Sequence, residues 1–78
     1  MRLIPVEQAA KEFFLISKPS YYRLAKAKLL PPVVKVSGGR SGVLDSEAES
    51  VLAARIAGKN DEEIRQLVRS LVAQRGED

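Results

Sequence analysis

Apolar positions along this chain follow two periods, and the change from one to the other divides it. Val6, Ala9, Ala10, Phe13 and Phe14 have the spacing of one helical face. Ahead of them, Leu3-Ile4-Pro5 predicts an extended lead-in. A second helix is predicted from about Lys18 to about Leu29, with Ser17 as N-cap and Pro19 in a first turn where its missing N–H costs nothing. Pro31-Pro32 stops it. The period then becomes strand-like: Val33-Val34-Lys35-Val36 is β-branched, Ser37 to Gly42 breaks it, and Val43-Leu44 resumes it. Gly38-Gly39 supplies the positive φ values that a tight reversal needs, so a β-hairpin with Arg40 at its tip is predicted. Ser46, as N-cap, and Glu49 have capping-box spacing ahead of a helix ending at Gly58, whose Val51, Leu52 and Ile56 are expected to close the core with the last helix. Asn60 and Glu63 repeat that spacing before a last helix ending at Gly76, with Ile64, Leu67, Val68, Leu71 and Val72 as its apolar stripe.

Only Leu15 and Ile16 separate Phe14 from Ser17, and two short helices joined so tightly predict a helix-turn-helix. With the hairpin behind it, the expected fold is mostly α with a small β-hairpin, a winged helix-turn-helix with C-terminal helices. Residues 1–58 form the expected DNA-binding part, and residues 59–78 an amphipathic helix packed on the same domain. Tyr21, Leu24 and Ala25 share one face of the second helix and are expected to meet Val6, Ala10 and Phe13. Lys18, Tyr22, Arg23 and Lys26 lie on the opposite side.

Charge sharpens this picture. From Lys11 to Leu44 there are seven basic residues against Glu12 alone, a net +6, whereas the chain from Asp45 onward carries a net −3. A basic middle backed by an acidic half is the pattern of a polyanion-binding surface; a face charged only for solubility is the plainer reading. A helix fits the DNA major groove, arginine pairs bidentately with guanine, and lysine and tyrosine reach phosphates or bases. Ser17 and Ser20 stand at a helix N-terminus, where hydroxyls and backbone N–H groups suit a phosphate. The candidate DNA-binding residues are therefore Ser17, Lys18, Ser20, Tyr22, Arg23, Lys26 and Arg40.

Composition bounds the chemistry. The chain has 78 residues, no cysteine and no histidine, so disulfides, Cys/His zinc sites, cysteine nucleophiles and histidine bases are excluded. A domain of this size buries only about 60% of its unfolded surface, which leaves a thin core and no cleft between domains. Gly38-Gly39-Arg40-Ser41-Gly42 lies between predicted strands and does not read as a phosphate-binding P-loop. No apolar run is long enough to span a membrane. The expectation is a soluble, cytoplasmic, non-enzymatic module with no cofactor, metal or small-molecule substrate.

The run Leu15-Ile16-Ser17-Lys18-Pro19-Ser20-Tyr21-Tyr22-Arg23-Leu24 resembles the core of the AlpA-like transcriptional regulators, relatives of phage excisionases with MerR-like winged-helix folds. Pro32-Val33-Val34-Lys35-Val36, Gly39-Arg40, Gly42, Ser46-Glu47 and Leu52 to Ile56 extend the similarity over most of residues 3–57. The resemblance implies that the second helix enters the major groove through Ser17, Lys18, Ser20, Tyr22 and Arg23. It places Arg40 on the backbone or in the adjacent minor groove. Leu15 stands where that family usually turns on glycine, and Val43 where it often has tryptophan. The implied function is that of a phage or other mobile-element protein, a transcriptional regulator or recombination directionality factor. Its partners would be double-stranded DNA, further copies on adjacent sites, and an integrase or RNA polymerase. Two other readings remain at this point. One is the DNA-binding part of a phage packaging (small terminase) protein, although the oligomerisation domain of such proteins is not expected here. The other is a protein-interaction adapter that uses the Ile64, Leu67, Val68, Leu71 and Val72 stripe.

Overall fold

The computed structural model describes residues 2–75. The chain is mostly helical, with a small three-stranded antiparallel sheet. In chain order the elements are β1 (Leu3–Ile4), α1 (Val6–Ala9) continuing as a π-helical turn (Ala10–Phe14), α2 (Lys18–Lys26), β2 (Val34–Lys35), β3 (Ser41–Leu44), α3 (Asp45–Ile56) and α4 (Asp61–Gln74). The expected end of the last helix at Gly76 lies outside the described residues.

Strand β3 is central, in the order β1-β3-β2. The segment read as an extended lead-in is thus a third strand, with Leu3 opposite Leu44 and Ile4 opposite Val43. On the other edge Val34 faces Gly42 and Lys35 faces Ser41, so the returning strand starts two residues earlier than its apolar pattern suggested. Gly38 and Gly39 both hold positive φ, and Arg40 N–H closes the turn on the Ser37 carbonyl at 2.9 Å. Gly42 is needed for a different reason. A Cβ there would lie 2.5 Å from the Ile4 carbonyl oxygen and 2.9 Å from Leu3 Cγ, so β1 can approach only a bare backbone.

Helices α1 and α3 pack on β3, α2 packs on α1, and α4 packs on α3. Ile4, Val6, Ala10, Tyr21, Val43 and Val51 meet in one core, joined by Ile64 and Val68 from α4. Leu67 and Leu71 are half-buried against it, and Val72 is at the edge. Leu24, Ala25 and Phe13 also pack there, as the spacing predicts. The π-helical turn fits more residues into one revolution, and Phe13 and Phe14 both lie against the core.

Three sequence expectations need correction. Helix α2 ends at Lys26, not near Leu29. Lys28 takes a left-handed φ of 67°, its N–H bonds the Ala25 carbonyl, and the Leu29 N–H bonds that of Leu24, a Schellman stop closed before the prolines. Ser46 does not cap α3. That helix begins two residues earlier, with Leu44 at the cap position, because Asp45 N–H donates to the Arg2 carbonyl and Arg2 N–H donates to Asp45 Oδ1 at 2.7 Å. The Arg2 hydrogen bond also holds the Asp45 carboxyl below its ordinary pKa. Ile56 does not close the core; it is 79% exposed, and Glu47, Ala48 and Val51 form the buried face of α3 instead. The capping box at Asn60 and Glu63 does form, with reciprocal bonds of 2.9 and 3.1 Å.

Candidate nucleic-acid interface

Helix α2 is oriented by one buried anchor. Tyr21 is fully buried, and its hydroxyl donates to the Pro31 carbonyl at 2.6 Å. Burial pushes the Tyr21 phenol far above its ordinary pKa, with the Glu47 carboxylate adding to the shift and Arg75 opposing it. The phenol therefore stays a donor throughout the useful pH range. With position 21 fixed inward, Lys18, Tyr22, Arg23 and Lys26 are turned outward, and all four are exposed. Tyr22 keeps 44% of its surface accessible, much for an aromatic residue in so small a molecule.

The N-terminus of α2 is closed by its own serines. Ser17 Oγ accepts from the Ser20 N–H at 3.4 Å, and its hydroxyl donates to Ser20 Oγ at 3.0 Å. Ser17 is exposed and Ser20 half-buried.

The hairpin tip comes back toward this helix. Lys18 and Tyr22 of α2 and Arg40 of the hairpin line one cleft of about 500 Å³, completed by Pro5, Val6, Glu7, Gly39 and Ser41. Two candidates one helical turn apart on α2 are therefore brought together with a third from the hairpin. Arg23 and Lys26 lie on the same helix but do not line the cleft. A smaller depression of about 320 Å³ along the hairpin is bounded by Lys35, Ser37 and Arg40.

Glu7 is the residue that the sequence reading missed. Its carboxylate lies in the cationic cleft and is bonded to Lys11 Nζ at 3.0 Å. That hydrogen bond and charge, with a smaller pull from Lys18, hold it below the ordinary carboxylate pKa. The i, i+4 spacing of Glu7 and Lys11 was a visible signal for the pair. Its place opposite Lys18 depends on how α1 and α2 cross.

The ion pairs divide the molecule. Arg55, Lys59, Arg69 and Arg75 each meet an acid of the C-terminal half. Lys18, Arg23, Lys26, Lys28, Lys35 and Arg40 form no ion pair among the described residues. Four of the five C-terminal bases are thus locally neutralised, and Arg65 instead donates to the Ala27 carbonyl at 3.1 Å, while the bases on α2 and the hairpin remain open to an external anion. Among the described residues no cluster of three or more His, Cys, Asp or Glu could hold a metal ion, and no helix is long and apolar enough to cross a membrane.

The stripe on α4 is divided between core and surface. Ile64 and Val68 are fully buried within the chain, Leu67 and Leu71 are half-buried, and only Val72 is exposed. Comparison of the chain with protein families, with curated proteins and with solved structures finds no match.

Proposed function

We propose that this chain is a sequence-specific DNA-binding protein built as a winged helix-turn-helix. Helix α1 with its π-helical turn and α2 make the helix-turn-helix, α2 enters the major groove, and the β2–β3 hairpin is the wing. The observation that carries this reading is the cleft where Lys18, Tyr22 and Arg40 converge, among α2 and hairpin cations that form no ion pair among the described residues. A polyanion wide enough to touch a helix and a hairpin together fits that surface better than a small ligand does. In this assignment Arg23, Tyr22 and Lys26 face base edges, and Ser17, Lys18 and Ser20 meet a phosphate at the helix N-terminus. Arg40 lies on the backbone or in the neighbouring minor groove.

The resemblance to AlpA-like regulators and excisionases extends the proposal to a cytoplasmic protein of a phage or other mobile element. Regulation and excision share one physical basis here, the loading of small domains on adjacent sites to alter what a polymerase or integrase does. The adapter reading loses support because Ile64 and Val68 are already covered within the chain.

Binding to duplex DNA, followed against salt concentration, tests the proposal. Affinity is expected to fall steeply with salt. Arg23→Ala and Tyr22→Ala should each cost about 1–3 kcal/mol on the specific site and much less on random duplex, while Arg40→Ala should lower the salt slope by about one. Affinity independent of salt, or no preference for any sequence in footprinting beside the gene, would refute it.

A further inference from the structure

At the base of β2 lies a part-buried ion pair with no part in the cleft. Glu47, in the first turn of α3, has a side chain only 5% exposed. Arg75, at the end of α4, grips it with two bonds, Nε to Oε2 at 2.8 Å and Nη2 to Oε1. The same Nη2 donates to the Pro32 carbonyl at 2.9 Å. One residue earlier, the Pro31 carbonyl accepts from the Tyr21 hydroxyl. Successive carbonyls of the diproline are thus held by side chains from two different helices. Proline has no N–H and a nearly fixed φ, so these carbonyls are the only backbone groups through which that segment can be tied down.

Strand β2 starts two residues after Pro32 and has only two ladder residues. Past it, Val36 is exposed and the chain turns at Gly38 and Gly39. The other arm, β3, is held at Val43 and Leu44 by β1, whereas the β2 arm takes its direction from Pro32. A strand rises about 3.3 Å per residue, so a tilt of about 10° at Pro32 would move the tip, about 17 Å away, by about 3 Å. That is enough to break a contact between Arg40 and DNA. An ion pair buried on one side is a poor source of net stability but a good source of geometry, since its fork of bonds accepts one arrangement.

We propose that Arg75 is a positioning residue for DNA binding, holding the hairpin and its Arg40 in place through Glu47 and the Pro32 carbonyl. The inference rests on the DNA-binding reading above. It gives α4 a role in the interface without touching the nucleic acid.

The test is Arg75→Lys in the full chain, which keeps the charge for Glu47 but loses the planar fork. Without DNA, amide hydrogen exchange at Val36, whose N–H donates to the Arg40 carbonyl, should quicken about 3- to 10-fold, while the Val51 and Val68 amides inside their helices stay unchanged. With duplex DNA, Arg75→Lys should weaken binding about 3- to 10-fold in the native background and not at all in an Arg40→Ala background. Equal weakening in both backgrounds would overturn the proposal, as would uniform acceleration of hairpin and core amides, which marks a merely structural residue. No change in either measurement would overturn it too. A native chain that binds no duplex refutes the DNA reading itself, and the exchange measurement still decides whether the clasp holds the hairpin.

Discussion

Leu15 holds a left-handed φ of 57° with its side chain 87% exposed, joining α1 to α2 at a backbone conformation that costs a non-glycine residue about 1–2 kcal/mol. Almost nothing is recovered by burial. Leu15→Gly should therefore raise the unfolding free energy by about 0.5–1 kcal/mol, once the extra freedom of glycine in the unfolded chain is subtracted, and move the urea midpoint upward. A lower midpoint would mean that the leucine side chain contributes packing the exposed position does not suggest. Residue-scale signals were legible where they act locally. Ser17 and Asn60 cap the helices their spacing announces, since each bonds an N–H three residues on. Ser46 carries the same signal and does not cap, because the Arg2 carbonyl, 43 residues away, engages the Asp45 N–H and starts the helix first.

At the scale of elements, the sheet is where local pattern said least. The two residues of β1 were too few to show a period, and their strand character exists only beside β3. Gly42 is the point where that pairing can be broken. In Gly42→Ala the new methyl group meets the Ile4 carbonyl, a backbone atom with no rotamer to yield, and the chain should lose about 1–3 kcal/mol. The Asp45 amide, which donates across to Arg2, should lose protection with it. Wild-type stability and unchanged exchange at Asp45 would show that β1 does not seat against β3 in this way. Helix α2 makes the complementary point. Its start was read correctly from Ser17 and Pro19, but its end was set by the left-handed turn at Lys28, a residue with no preference for that conformation.

For the whole molecule, the last helix is part of the core that the rest of the chain lacks. Ile64 is fully buried among residues of the other helices and the sheet. Ile64→Ala should remove about 2–5 kcal/mol, a large share of the roughly 4–12 kcal/mol available to a domain of this length. Its melting temperature should fall and not vary with protein concentration. A melting temperature that rises with concentration would mean the helix is buried between copies instead. The sequence by itself determined where the helices lie, the caps at Ser17 and Asn60, the glycine turn and the uneven division of charge, because each depends on residues within a few positions of one another. Tertiary structure alone decided that Leu3 and Ile4 form a strand and that Ile56 is exposed. It also set Glu7 beside Lys18 and Tyr22, and Arg75 on Glu47 and Pro32. Those outcomes depend on how helices cross and which backbone reaches an open N–H or carbonyl first, and neither is encoded in any local period of the chain.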